Sequence, residues 1–190
     1  MSPALLRLAV VLGSTREGRL CPVIASWFAG QARQIDAFEV DVVDPADLDV
    51  PVALSPQPPE SVRTLGKRLE AADAFVIVTP EYNHSFPAPL KSLIDWHYVQ
   101  WRAKPVGFVA YGGLAGGLRA VEQLRLVFAE LHATTIRDTV SFHNAGDLFD
   151  DAGELREPAG ATAAAKVMLE QLTWWADALQ KARREHPYQQ

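Results

Sequence analysis

Three short apolar runs, each ending at a turn, constrain the fold of this chain more than any other feature of its sequence. They cover residues 5–12, 74–80 and 105–113, and they end at or just before glycine or proline. Continuous apolar runs of this length are typical of strands that are buried on both faces of a parallel sheet. A segment with apolar residues at helical spacing follows each run. The sequence therefore predicts strands and helices in alternation.

Two further strands and the remaining helices complete the predicted elements. Residues 38–44 alternate apolar and acidic side chains, which indicates a strand with one less buried face at the edge of the sheet. The fifth strand is expected within residues 134–142. Five prolines between residues 45 and 59 suppress regular structure and predict a surface connection. Five helices are predicted. Two begin at Pro22 and Pro89, and the other three cover about residues 60–72, 118–133 and 162–185.

This alternation predicts one α/β domain over residues 1–190, with a parallel sheet covered on both faces and right-handed crossovers. Five strands favour the doubly wound order 2-1-3-4-5 in a three-layer α/β/α architecture. Ligands of such sheets bind beyond the carboxyl ends of the strands, where the strand order reverses. We therefore expect a site at the first loop (residues 13–21), the second loop (residues 79–88) and the third loop (residues 111–117).

Composition narrows the class of protein. A net charge of −5 argues against binding to nucleic acid or to an anionic membrane surface. The longest apolar runs are too short to insert into a bilayer. Cys21 is the only cysteine, so no disulfide forms within the chain, and no secretory signal is recognised. We expect a cytoplasmic protein that binds no metal.

The first loop, GSTREGRLC, combines groups that suit a phosphate. Ser14 and Thr15 offer hydroxyls, Arg16 and Arg19 offer guanidinium groups, and the following helix begins with unpaired N–H donors. The loop carries neither GxxxxGK[ST] nor GxGxxG, which favours a single terminal phosphate over a triphosphate or a pyrophosphate. The alternative is a polar loop that merely caps its helix.

The second loop carries prolines at positions 80, 87 and 89, which stiffen it. A rigid turn with outward backbone donors suits the edge of a flat heterocycle. We favour a binding role for Glu81, Tyr82 and Asn83. Phe86 either lies near such a ring or fills the gap between the sheet and a helix.

The third loop holds four glycines within six residues, which are Gly112, Gly113, Gly116 and Gly117. Glycine permits backbone conformations and a close ligand approach that side chains would obstruct. A flat ring can lie against such a loop. Glycine-rich turns also occur merely to begin a helix, so the position of this loop beside the other two is what favours binding.

Taken together, GSTREGR, PEYNHSFPAPLKSLIDW and YGGLAGGLRAVEQLR resemble the NADPH-dependent FMN reductase family, which includes small quinone and azo-dye reductases of flavodoxin-like fold. The resemblance covers about residues 5–136. It implies FMN as bound cofactor and NADPH as reductant. It also implies a homodimer or homotetramer with the flavin near the subunit interface.

The resemblance assigns a part of FMN to each loop. In the first loop, Ser14, Arg16 and Arg19 are implied to hold the phosphate. In the second, the isoalloxazine is bordered by Pro80, Glu81, Tyr82 and Asn83. In the third, its pyrimidine side is lined by Gly112, Gly113 and Gly116.

The implied reaction is a ping-pong hydride transfer from NADPH to FMN and then to a quinone, azo compound, free flavin or similar small acceptor. It requires no catalytic side chain, since the protein positions and tunes the flavin. Two alternatives remain: a flavodoxin-type electron carrier, and a flavin-binding protein without turnover. Cys21 near two arginines is either a thiol of lowered pKa or a small packing residue.

Overall fold

A computed structural model describes residues 5–188 and contains one five-stranded sheet, in which every pair of neighbouring strands is parallel. The sheet order is β2-β1-β3-β4-β5, which confirms the predicted doubly wound α/β topology. The strands are β1 (Leu6–Leu12), β2 (Phe38–Val43), β3 (Ala74–Pro80), β4 (Pro105–Tyr111) and β5 (Thr134–Phe142).

Burial explains the character of each strand. All residues of β3 and β4 are buried, as are all residues of β1 except Arg7. These three strands form the middle of the sheet, where helices cover both faces. In β2 the acidic residues Glu39 and Asp41 are exposed, because this strand lies at the predicted edge.

Five helices form the outer layers of the three-layer architecture. Side chains of α1 and α5 pack on one face of the sheet, and side chains of α2, α3 and α4 pack on the other. None of the helices within residues 5–188 is long and apolar enough to cross a bilayer. The helices are α1 (Cys21–Arg33), α2 (Glu60–Ala71), α3 (Ala88–Trp96), α4 (Leu118–Glu130) and α5 (Pro158–Glu185).

Apart from shifts of one residue, three helix boundaries differ from the sequence-based expectation, and one of them is the end of α4, which lies at Glu130 instead of residue 133. Apolar spacing extends α3 to His97 or Tyr98, yet the backbone leaves the helix at His97, whose φ is −127°. The His97 ring is buried and contacts the carbonyl oxygens of Leu93 and Val62 at 2.7 and 3.0 Å, whereas Tyr98 is exposed. Helix α5 begins before residue 162, because Pro158 suits the first turn of a helix.

Lys104 lies at the opposite end of the sheet from the three loops, just before β4. Its Nζ donates to the carbonyl oxygens of Leu69 and Glu70, at 3.0 and 2.9 Å, in the last turn of α2. A cation is favoured at a helix C-terminus. Removal of the ammonium group from water nevertheless outweighs these bonds and lowers the pKa of Lys104 to about 8.

This shift predicts a pH dependence of stability. The pKa of Lys104 is about 8 in the folded protein and near 10.5 in the unfolded chain. Between these values the unfolded chain binds more protons, so the contribution of Lys104 to stability rises with pH. Relative to Lys104→Met, the wild type should gain about 2 kcal/mol of unfolding free energy between about pH 7 and pH 10, measured by urea denaturation. A difference that stays constant with pH would contradict the assignment.

Candidate functional site

Hydrogen bonds join the three loops into one surface at the carboxyl ends of β1, β3 and β4. The Gly13 N–H donates to the Val78 carbonyl oxygen at 2.7 Å. The hydroxyls of Ser14 and Tyr82 share a hydrogen bond of 2.9 Å, which links the first loop to the second. The Glu81 N–H donates to the Tyr111 carbonyl oxygen at 3.0 Å and links the second loop to the third.

The first loop leads into a helix whose N-terminus lacks a side-chain cap. Leu20 occupies the cap position of α1, and it supplies no side-chain oxygen to the first N–H groups of the helix. These N–H groups have no partner within the helix, and they carry the positive end of its dipole. The start of α1 therefore offers donors to an anion.

The two arginines of the first loop have different surroundings. Arg16 is exposed. The guanidinium of Arg19 is mostly buried and pairs with the carboxylate of Asp44, which follows β2 and also accepts the Ala46 N–H at 3.0 Å. Among residues 5–188, Arg19 Nε is one of the few buried side-chain nitrogens without a hydrogen-bond partner. Arg19 thus ties the first loop to the end of β2 and keeps one donor for another acceptor.

Cys21 is a buried packing residue. Its Sγ donates to the Val78 carbonyl oxygen at 3.3 Å, and burial raises the pKa of the thiol above its ordinary value. Burial and the neighbouring Cys21 also raise the pKa of the Tyr111 hydroxyl. The hypothesis of a lowered thiol pKa is therefore wrong, because desolvation outweighs the nearby Arg19 charge.

The second loop contains a tight turn over residues 82–85. The Tyr82 N–H donates to the Ser85 carbonyl oxygen at 2.8 Å, and the Ser85 N–H returns a bond of 3.0 Å to Tyr82. The central residues Asn83 and His84 have φ values of 49° and 69°, as in a type I′ turn. Both are exposed, and Asn and His are among the residue types with a Cβ that adopt positive φ most often.

The side chain of Glu81 faces α4. Its carboxylate accepts hydrogen bonds from the Arg119 backbone N–H at 3.2 Å and from the Arg119 guanidinium at 2.9 Å. A carboxylate at a helix N-terminus is stabilised by the helix dipole. Glu81 therefore connects the second loop to the helix that follows the third. Phe86 is partly buried against the core, which favours the gap-filling interpretation of this residue.

The third loop requires glycine at two positions. Gly116 and Gly117 have φ values of 59° and 84°, and a Cβ on Gly117 would lie 2.6 Å from the Tyr111 nitrogen. Side chains in β5 and just after it hold this loop. Ser141 Oγ donates to the Gly116 carbonyl oxygen at 2.7 Å, and His143 Nδ1 donates to the Leu114 carbonyl oxygen at 2.8 Å.

Gly113, in contrast, is exposed, and a Cβ built there meets no atom within 4 Å. The backbone of the third loop is therefore open to a ligand at this point.

A cleft of about 290 Å³ lies between the first loop and the connection that follows β2. Thr15 lines one side of the cleft, and the connection lines the other from Pro45 to Val52. Residues Pro89 and Ser92 of α3 close it. The proline-rich segment therefore shapes the surroundings of the first loop in addition to connecting two elements.

The structure thus brings the predicted residues of the three loops to one edge of the sheet. Sequence reasoning missed the residues that support them, which are Asp44, Arg119, Ser141, His143 and also Gln123, whose Nε2 donates to the His84 carbonyl oxygen at 2.6 Å. Arg119 and Gln123 lie within the motif YGGLAGGLRAVEQLR, but the motif does not show what they contact, and Asp44, Ser141 and His143 lie outside the three motifs. Among residues 5–188, no group of three or more His, Cys, Asp or Glu residues is placed to hold a metal ion.

Replacing Gly117 with alanine should destabilise the fold. The left-handed conformation alone costs a residue with a Cβ about 1–2 kcal/mol, and the clash with the Tyr111 backbone adds to this cost. We expect the unfolding free energy to fall by about 2 kcal/mol or more in chemical denaturation. Gly113→Ala is the matched control, because its Cβ enters open space, and it should stay within about 0.5 kcal/mol of the wild type. Equal stability of the two variants would contradict this account of the loop.

Comparisons with known proteins give one family match and several similar sequences. The sequence model of the NADPH-dependent FMN reductase family matches residues 6–147. An NAD(P)H-dependent FMN reductase of Schizosaccharomyces pombe is 36% identical over 122 residues, which cover 58% of this chain and 60% of that protein. An NAD(P)H-dependent FMN reductase of Saccharomyces cerevisiae is 32% identical over 149 residues, covering 69% of this chain and 78% of that protein. A quinone reductase of Pseudomonas putida is 28% identical over 158 residues, which cover 79% of this chain and 84% of that protein.

Solved structures show the same fold. A flavoenzyme NAD(P)H:(acceptor) oxidoreductase from Paracoccus denitrificans superposes with a TM-score of 0.73. Its sequence is 22% identical, and the superposition covers 92% of this chain and 98% of that one. Together with the sheet order, this likeness confirms the flavodoxin-like architecture.

Proposed function

Because the chain belongs to the NADPH-dependent FMN reductase family, we propose that it is an oxidoreductase that binds FMN across the three loops and reduces it with NADPH. The observation that carries this proposal is the uncapped N-terminus of α1, which lies beside the partly unsatisfied guanidinium of Arg19. Such an end favours a phosphate in the first loop.

The residues present fit the phosphate end of FMN. A phosphate needs several N–H or O–H donors and a compensating positive charge. Donors are supplied by the first N–H groups of α1 and by the hydroxyl of Thr15. The exposed guanidinium of Arg16 and the unpaired Nε of Arg19 add donors together with positive charge. The hydroxyl of Ser14 lies in the same loop, where it also holds Tyr82.

The second and third loops fit the flat end of FMN. Pro80 ends β3, and Glu81 leads into the turn that Tyr82 and Asn83 begin; this segment has fixed backbone groups, which suit the hydrogen-bonding edge of a ring. Gly112 and Gly113 allow the backbone of the third loop to approach a ring closely, and Gly116 fixes the path of that loop. We propose that these residues border the isoalloxazine.

Bound FMN supplies hydride acceptance and electron delivery, which no amino-acid side chain provides. The residues of the chain bind the phosphate, orient the ring and leave one approach open beside Gly113. We propose that NADPH and the acceptor use this approach in turn, which gives ping-pong kinetics. Quinones are the favoured acceptor class, because several relatives are named quinone reductases; azo compounds and free flavin are further candidates. That the protein forms a homodimer or a homotetramer stays a prediction.

An anaerobic titration with NADPH tests the proposed function. The visible absorbance of the oxidised flavin in the FMN-loaded protein should fall until about one NADPH per flavin has been added, since a hydride carries both electrons. In steady-state assays with a quinone, double-reciprocal plots against NADPH at several quinone concentrations should be parallel.

Flavin that binds but stays oxidised in excess NADPH would contradict the reductase function. It would favour an electron carrier or a flavin-binding protein without turnover. Intersecting plots would contradict the ping-pong order alone and would leave the reductase function intact.

A further inference from the structure

Two side chains on one face of α4 hold the second loop. Arg119 and Gln123 are four residues apart, so they lie one above the other on the helix. The Arg119 guanidinium donates to the Glu81 carboxylate at 2.9 Å. The amide of Gln123 makes two bonds of 2.6 Å, since its Nε2 donates to the His84 carbonyl oxygen and its Oε1 accepts from Ser85 Oγ.

The sequence of this turn favours its shape only in part. Asn83 and His84 both have positive φ, which Asn and His adopt more often than most residues with a Cβ, but neither is glycine. Side chains in this conformation persist where the surrounding structure determines it. Gln123 contacts His84 and Ser85, while Arg119 contacts Glu81, just before the turn. The turn is thus fixed on both sides from one helix.

The same turn carries a contact across the site. Tyr82 begins the turn, and its hydroxyl bonds Ser14 of the first loop at 2.9 Å. A shift of the turn therefore moves the Tyr82 hydroxyl away from Ser14 and also moves the backbone groups of residues 80–83. These are the groups that the proposed function assigns to the flavin.

We propose that Arg119 and Gln123 are positioning residues of the flavin site, which act by holding the turn at residues 82–85 against α4. This inference rests on the proposed function, since it assigns the turn to the wall beside the isoalloxazine. Fixed hydrogen-bond partners at a ring edge tune both the affinity for a flavin and its reduction potential. Loss of either side chain should therefore alter both properties of the bound FMN.

The two contacts differ in burial. In the ion pair the side chain of Arg119 is 46% exposed but that of Glu81 only 10%, whereas the bonds of Gln123 are exposed. Hydrogen bonds that compete with water at the surface contribute little to the stability of a fold. Helix α4 packs on the sheet through its opposite face, where Val121, Leu124 and Phe128 are buried. A change at Gln123 should consequently leave the fold intact.

The test compares Gln123→Ala with the neighbouring change Glu122→Ala. Glu122 is the matched control, because its side chain is 77% exposed and pairs with Arg125 at 3.5 Å on the same helix. Three quantities are measured: the dissociation constant of FMN for the apoprotein, from flavin fluorescence; the midpoint potential of the bound flavin; and the thermal unfolding of the apoprotein.

We expect Gln123→Ala to raise the dissociation constant of FMN about tenfold and to shift the midpoint potential, with thermal unfolding of the apoprotein near that of the wild type. Glu122→Ala should match the wild type in all three. Gln123→Glu keeps the acceptor for Ser85 but places an oxygen against the His84 carbonyl, so it should weaken FMN binding at least as much as alanine.

Unchanged FMN affinity and potential in both Gln123 variants would overturn the inference. A loss of affinity that only follows a loss of thermal stability would overturn it too, since that result indicates a purely structural role. The measurements require bound FMN and no turnover. A wild-type protein that binds FMN without reacting with NADPH would thus refute the reductase function while this comparison still decides the role of Gln123.

Discussion

Burial of the three central strands on both faces is the constraint on which the rest of the structure depends. Strands β1, β3 and β4 have almost no exposed surface, so polar side chains and glycines collect in the loops at their ends. The sheet order places these strands side by side. Their carboxyl ends therefore bring three loops together that lie far apart in the sequence, and the reversal of strand order opens a crevice between them.

Each loop of the site is held by side chains from another part of the fold. Asp44, after β2, holds Arg19 of the first loop. Helix α4 holds the second loop, and Ser141 with His143 holds the third. A ligand meets preorganised groups at such a site, because the loops keep their shape through contacts that the ligand does not make.

The sequence allowed the architecture to be predicted because its signals are local. The spacing of apolar residues identifies each strand from its own residues. The alternation of apolar and acidic residues at 38–44 predicted that β2 lies at an edge. The family resemblance likewise followed from continuous motifs, and the match over residues 6–147 confirmed it. The end of α3 was misjudged because His97 still points inward after the backbone has left the helix.

The supporting contacts of the site could not be predicted in this way. Arg19 and Asp44 are 25 positions apart, and Glu81 and Arg119 are 38 apart, so only the packing of the elements brings them together. Cys21 shows the same limit for chemistry. Its neighbours in the sequence indicated a lowered pKa, but its burial against Val78 determines the opposite direction. The assignment of individual residues to parts of FMN stays a prediction.

The measurement that tests the central claim most directly compares the binding of FMN and riboflavin to the apoprotein, because these ligands differ only in the phosphate assigned to the first loop. If the start of α1 and Arg16 hold that phosphate, FMN should bind at least about a hundredfold more tightly than riboflavin, and Arg16→Ala should remove much of this ratio. Equal affinities for the two flavins in the wild-type protein would contradict the account of the site.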